Sequence, residues 1–276
     1  MRVDQYAVFG NPIEHSRSPD IHHAFARETD QSLAYGKQCV PVDDFTQAAV
    51  QFFADGGRGL NITVPFKLEA YQFADTLTKR ARQAGAVNTL AVQADGSILG
   101  DNTDGIGMVS DIVDHLGWSL AGRRVLVLGA GGAVRGVLGP ILAQQPSQLV
   151  IANRTSAKAE ALAKAFTADI AVVGCGFERL DGHQFDVVIN GTSASLAGDL
   201  PPLPATLLAT EGKCYDMMYG AEPTVFMRWA QQHGAASVSD GLGMLVGQAA
   251  EAFALWRDVR PSVAPVIEVI RAELTA

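Results

Sequence analysis

Lys67 closes the run Asn61-Ile62-Thr63-Val64-Pro65-Phe66-Lys67 and falls in the first turn of a helix that Pro65 is expected to open. A cation in that turn opposes the helix dipole, so a purely structural role is a poor use of it. A lysine paired with an aspartate beside a hydroxyl can take the hydroxyl proton and return it in the reverse direction. Asp104, in Asp101-Asn102-Thr103-Asp104-Gly105, is the carboxylate expected to orient that lysine, although it also suits a helix cap. Two more polar clusters accompany these: Gly10-Asn11-Pro12-Ile13-Glu14-His15-Ser16-Arg17-Ser18-Pro19 and Gly85-Ala86-Val87-Asn88-Thr89. Each stands at a strand end or a helix start, the places that line the ligand crevice of a parallel α/β sheet.

A second chemistry lies further along. Gly129-Ala130-Gly131-Gly132 follows the apolar run Val125–Leu128 and, with Ala133, opens a helix. Phosphate needs close approach to backbone amides at a helix N-terminus, which side chains would block. Val134 takes the third glycine position of the usual dinucleotide fingerprint and is expected to hold the helix slightly farther from the sheet. The next strand ends Ile151-Ala152-Asn153-Arg154-Thr155, with Lys158 one turn on. An acid here would accept from the ribose of NAD and repel the extra phosphate of NADP. Asn153, Arg154, Thr155 and Lys158 instead offer two cations and no acid, which predicts NADP. A polar loop capped by Thr155 or Ser156 would explain the hydroxyls but not the cations.

The elements that must position these groups alternate. Strands are read at Tyr6–Phe9, Leu33–Val40 and Gly59–Thr63, with helices from Ser18-Pro19, over Asp43–Ala54 and from Pro65. A hairpin turns at Asp95-Gly96 between Asn88–Gln93 and Ser97–Gly100. A helix over Asp104–Leu116 leads to a second series. It holds the strands Arg123–Leu128, Leu149–Ala152, Asp186–Asn190 and Lys213–Met217, the helix Ser156–Phe166, and the final helices Leu242–Trp256 and Ser262–Leu274. Such alternation predicts an α/β fold with parallel sheets and right-handed crossovers. The expected domains are 1–105 with 241–276 for substrate, mostly parallel α/β, and 106–240 as a Rossmann-like NADP domain.

Bulk properties narrow the function. A net charge of −8 disfavours nucleic acid as a partner. Three scattered cysteines, without CxxC, argue for a reducing compartment and against a disulfide framework or thiolate zinc site; no metal site is expected. No membrane-length apolar run and no leader-like start are present, so a cytoplasmic protein without a membrane partner is expected. A homodimer is left open.

The four clusters, with Asp216-Met217-Met218-Tyr219 and Asp240-Gly241-Leu242-Gly243-Met244-Leu245, resemble the shikimate dehydrogenase family in order and spacing over nearly the whole chain. The resemblance implies reversible NADPH-dependent reduction of 3-dehydroshikimate to shikimate, a step of aromatic amino acid and chorismate biosynthesis. It implies that Lys67 is the acid/base, with Asp104 orienting it and binding a ring hydroxyl. It implies that Ser16 and Ser18 hold the substrate carboxylate, with Tyr219 nearby, and that Thr63, Asn88 and Gln248 bind ring hydroxyls. It places Thr192, in Asn190-Gly191-Thr192-Ser193, against the cofactor, and Met217 and the Gly241 backbone beside the nicotinamide. Ser18 also suits a plain Ser-Pro helix start, and Gln248 interrupts an otherwise apolar helix. His23 stands where many members have asparagine or glutamine. Trp229 and Trp256 read as helix packing. The reaction is expected in a cleft between the domains, with hinge closure.

Three rivals remain open at this level. An NAD-linked quinate/shikimate dehydrogenase would favour an acid where Asn153 stands. A non-catalytic metabolite or dinucleotide sensor would not need the Lys67–Asp104 pair. The same scaffold with a reshaped pocket could oxidise another hydroxy compound.

Overall fold

A computed structural model describes residues 3–166, 170–192, 194 and 198–276. The chain divides into two compact units, Met1–Gly107 with Val246–Val266, and Met108–Leu245 with Ile267–Ala276.

The first unit contains β1 (Asp4–Gly10), α1 (Ser18–Glu28), β2 (Leu33–Cys39), α2 (Phe45–Ala54), β3 (Gly57–Ile62), α3 (Lys67–Phe73), β4 (Thr76–Leu77), α4 (Lys79–Ala84), β5 (Thr89–Val92) and β6 (Ile98–Asp101). Its sheet runs β2-β1-β3-β5-β6-β4. β1 pairs in parallel with both β2 and β3, while β3–β5 and β5–β6 are antiparallel. The chain leaves β1 towards β2 and returns to its other side at β3, so the order reverses between β1 and β3. Their carboxyl ends, where ligands of open sheets sit, carry Gly10-Asn11-Pro12 and Thr63. β1 alternates between two cores: Ala7 and Phe9 pack with Phe45, Leu60 and Phe66, while Tyr6 and Val8 pack with Ile13 and Tyr35.

The second unit contains β7 (Arg124–Leu128), α6 (Gly132–Ala143), β8 (Gln148–Ala152), α7 (Ser156–Ala165), β9 (Val172–Cys175), β10 (Phe185–Asn190), β11 (Leu208–Asp216), α8 (Val225–Gln232) and β12 (Ser237–Ser239). Its sheet runs β12-β11-β10-β7-β8-β9 with every pair parallel. That is the doubly wound order of a Rossmann-like fold, whose switch point lies between β7 and β10. Val125 and Val127 join the core under α6 and α7, and Leu126 and Leu128 join the core with Phe226 and Trp229 of α8. The helices α5 (Asp104–Ser110), α9 (Leu242–Arg257) and α10 (Ala264–Thr275) each run through a division between the units.

Several expectations need adjustment. α3 begins at Lys67, not at Pro65, because Pro65 lies in the turn that precedes it. The helix expected through Leu116 ends its α-helical part at Ser110 and continues as a π-helical turn over Asp111–His115. β4, α4, β9 and β12 carried no recognised signal, and α8 only the helix packing read at Trp229. Among the described residues no helix is long and apolar enough to cross a membrane.

Candidate functional site

In the first unit, Lys67 is the first residue of α3 and Asp104 the first of α5. Lys67 Nζ lies 2.5 Å from Asp104 Oδ2, with the two side chains 30% and 14% exposed, so the pair is partly buried but still reachable. The other aspartate oxygen accepts from Asn88 Nδ2 at 2.8 Å. Asn88 is itself 2% exposed. Its Oδ1 accepts the Thr103 backbone N–H at 2.8 Å, which fixes the sense of the amide and turns its N–H towards Asp104. Gln248 Oε1 accepts from the same Nδ2 at 3.3 Å, so α9 also reaches this cluster. The helix-cap alternative for Asp104 is therefore displaced: both carboxylate oxygens serve Lys67 and Asn88.

The close approach of α9 rests on glycine. A Cβ at Gly107 would sit 2.3 Å from the Gln248 backbone nitrogen, and one at Gly247 would sit 2.7 Å from the Gly107 carbonyl oxygen. Thr63 is held differently. Its amide donates to the Phe9 carbonyl at 2.9 Å, and a Cβ at Gly10 would meet its methyl at 2.4 Å, so the methyl packs on β1 and leaves the hydroxyl free of that contact.

The helix-start bond that Ser18 suited is made by Ser16. Ser18 lies inside α1, whose N-cap is Arg17, and makes no side-chain cap. Ser16 Oγ instead accepts the Ser18 amide at 3.3 Å and donates to Ser18 Oγ at 3.2 Å. Ser18 is thus released from the helix-start duty that would have explained it. Tyr219 belongs to the second unit, where it is half-buried.

In the second unit the glycine loop separates by function. Gly129 adopts φ +107°, and its amide donates to the Ala152 carbonyl at 2.7 Å, so this glycine is required by the turn. Gly131 and Gly132 have no atom within 4 Å of a built Cβ. Packing does not require them to be glycine, and the open space is what a phosphate approaching the α6 N-terminus needs. Ala133 is exposed beside them, and Ala130 packs on the core. Val134 is wholly buried, and its methyl takes the space a Cβ at Gly191 would fill, 2.5 Å away. The missing third glycine is thereby compensated on the loop that follows β10.

After β8, Asn153 Nδ2 donates to the Thr155 carbonyl at 3.0 Å, and Thr155 is an N-cap without a side-chain capping bond. Arg154 and Lys158 are exposed, and among the described residues neither is in an ion pair. At the ends of β10 and β11, buried Asp216 accepts from Asn190 Nδ2 at 3.1 Å, Met218 N at 3.0 Å and Thr224 Oγ1 at 2.6 Å. Asn190 Oδ1 in turn accepts from the Thr192 hydroxyl at 2.8 Å. Gly241 stands against Met217: its Cβ would lie 2.2 Å from the Met217 carbonyl oxygen. Ser193, the last residue of the loop expected at the cofactor, lies outside the described residues. The donor set fits NADP: an open glycine loop, two unpaired cations after β8, and no acid there.

Tyr35, Asn61, Thr89 and Thr103 also join the first unit's polar cluster and were not singled out from the sequence. Asn61 had a signal. Leu60 and Ile62 face one core, so period-two alternation turns Asn61 to the opposite face, where a buried amide needs partners.

Sequence comparison matches residues 8–90 to the profile "Shikimate dehydrogenase substrate binding domain", 111–197 to "Shikimate / quinate 5-dehydrogenase" and 241–271 to "Shikimate 5'-dehydrogenase C-terminal domain". A protein of Cellvibrio japonicus named shikimate dehydrogenase (NADP(+)) is 64% identical over 272 residues, 99% of this chain and 98% of its own. The crystal structure of an Ael1 enzyme from Pseudomonas putida is 49% identical with a TM-score of 0.92, covering 99% and 98% of the two chains. That of shikimate 5-dehydrogenase from Thermus thermophilus, in complex with NADP(H) and shikimate, is 32% identical with a TM-score of 0.86, covering 99% and 100%.

Proposed function

This chain belongs to the shikimate dehydrogenase family, and from that premise we propose that Lys67 and Asp104 carry its reaction, the reversible NADPH-dependent reduction of 3-dehydroshikimate to shikimate. The observation that carries the residue assignment is the Lys67–Asp104 contact of 2.5 Å, backed by the Asn88 amide on the second carboxylate oxygen.

When bound, NADPH supplies the hydride and NADP accepts it. The chain's own residues handle the proton. In reduction, the Lys67 ammonium donates a proton to the oxygen of the ring ketone as that carbon is reduced. Asp104 holds the ammonium in place, and Asn88 holds Asp104, so the donor is oriented before substrate arrives. In oxidation the same nitrogen takes the hydroxyl proton. Asp104, Asn88, Thr63 and Gln248 present the hydrogen-bonding groups for ring hydroxyls, and Ser16 and Ser18 with Tyr219 those for the carboxylate. In the second unit, the Gly129–Ala133 loop receives the pyrophosphate, with Asn153, Arg154, Thr155 and Lys158 at the 2′-phosphate. Thr192, Met217 and Gly241 line the nicotinamide end. Three free cysteines support a cytoplasmic setting.

The test is to mix the protein with shikimate and NADP and follow the absorbance of reduced nicotinamide, with quinate and NAD as alternative arms. Turnover strongest with shikimate and NADP is expected. Faster turnover with quinate and NAD would replace the assignment by the NAD-linked reading. Silence in every arm would leave a binding protein.

A further inference from the structure

Tyr35 has no part in the reaction as derived so far. It stands on β2 with 5% of its surface exposed, and its hydroxyl is buried. That hydroxyl donates to Asn61 Oδ1 at 2.7 Å. From Asn61 the bonds continue in one sense. Asn61 Nδ2 donates to Thr89 Oγ1 at 3.2 Å, and Thr89 Oγ1 donates to Asn88 Oδ1 at 2.9 Å. Asn88 Nδ2 donates to Asp104, which receives Lys67 on its other oxygen. Every proton from Tyr35 onward therefore points along the chain towards the Asp104 carboxylate.

We propose that Tyr35, acting through Asn61, Thr89 and Asn88, is a positioning residue for the Asp104 carboxylate that holds Lys67. The inference rests on the functional reading above. Same-sense bonds polarise one another, so the loss of one link is felt at the Asp104 end. The chain is also fully satisfied and buried: Asn61 is 5% and Thr89 0% exposed, so neither can turn to water when a partner is lost.

Two contacts hold Tyr35 itself. The His22 ring stacks on it with centroids 4.2 Å apart and 8° between planes. His23 Nε2 accepts the Tyr35 amide at 3.3 Å. Ring and backbone are thus fixed independently of the hydroxyl, and removing the hydroxyl alone changes the chain without removing the packing. Burial pushes the Tyr35 phenol up from its ordinary pKa, so the proton that makes the link stays on the oxygen.

The experiment compares wild type, Tyr35→Phe, Thr89→Val and the double variant in the shikimate and NADP assay, with Tyr6→Phe as a control. Tyr6 is also buried, and its hydroxyl accepts from Arg257 at 3.3 Å, away from the chain. Tyr35→Phe is expected to lower kcat/KM for shikimate on the order of tenfold while KM for NADP stays within about twofold. The double variant is expected to lose no more than the worse single one, because both break one series of links. Should Tyr35→Phe not fold, Thr89→Val carries the same comparison. Unchanged shikimate kinetics in Tyr35→Phe beside an active wild type would overturn the proposal while leaving the functional reading intact. So would an equal loss in Tyr6→Phe, an equal rise in KM for NADP, or additive losses in the double variant. Inactive wild type would remove the functional reading first and this proposal with it.

Discussion

Gly107→Ala is the perturbation whose consequence follows most directly from geometry. The new Cβ would lie 2.3 Å from the Gln248 nitrogen and 2.7 Å from its Cα. Both are backbone atoms, so no rotamer change relieves the clash. To reach an ordinary contact of 3.4 Å, α5 and α9 must part locally by roughly 1 Å. The Asn88–Gln248 bond is already 3.3 Å long, so such a shift breaks it. Alanine gains about 1 kcal/mol over glycine as a helix former. Forced overpacking costs about 1–3 kcal/mol, so the clash wins over most of that range. The net expectation is a stability loss of up to about 2 kcal/mol, or up to about 4 °C in Tm. Losing one neutral hydrogen bond at the candidate hydroxyl site should raise KM for shikimate about three- to tenfold, with KM for NADP unchanged. Thermal unfolding and steady-state kinetics on the same preparation check both numbers. A Gly107→Ala protein as stable as wild type, with unaltered KM for shikimate, would refute the claim that this glycine sets the place of Gln248.

Four further outcomes are expected. Gly131→Ala should keep the wild-type Tm, because its Cβ meets nothing within 4 Å, yet raise KM for NADP. Gly129→Ala should lower Tm, because φ +107° strains any side chain; equal effects at both positions would contradict the division of the loop. Replacing Arg154 by Ala should weaken NADP roughly tenfold or more while leaving NAD nearly unaffected, as a charge-assisted phosphate contact requires. Finally, desolvation holds the buried His22 at a pKa of about 3, against 6.5 for a free imidazole. The unfolded chain binds this proton first, so the contribution of His22 is present above pH 6.5 and is lost as pH falls towards 3, at up to about 1.4 kcal/mol per pH unit. Tm measured from pH 7 to 4 should fall less steeply in His22→Phe than in wild type; parallel slopes would contradict this.

The strands that positioned the sites were readable because each is apolar on both faces or ends in a polar cluster. Val125–Leu128 feeds two cores, and no helix of that composition fits so short a run. The hairpin was readable because Asp95 and Gly96 have specific turn chemistry, and the Asp95 carboxylate does accept the Ser97 amide at 2.9 Å. β4 and β12 were not readable: strands of two and three residues exist by pairing with β6 and β11, which local sequence does not encode. The π-helical turn at Asp111 depends on distant partners too. Its buried carboxylate accepts from Tyr215 at 2.7 Å, across a large sequence separation.

The candidate sites divide the same way. Lys67 and the glycine loop stood out because their types are poor choices for structure alone, and Asp104 stood out as a partner for Lys67 although it also suited a helix cap. The Ser-Pro pair signals a helix start without saying which hydroxyl serves it, and Ser16, not Ser18, accepts the Ser18 amide. Tyr35 was invisible because nothing in Leu33–Cys39 tells that its phenol meets an amide on β3.

The central claim is that the Lys67–Asp104 pair moves the proton in an NADP-dependent oxidation of shikimate. Its most direct test is Lys67→Ala, measured for turnover and, by calorimetry, for shikimate and NADP binding. A fall in kcat of about 10²-fold or more, with both ligands still bound, is the predicted result. Turnover within tenfold of wild type in a folded, ligand-binding Lys67→Ala protein would contradict the claim.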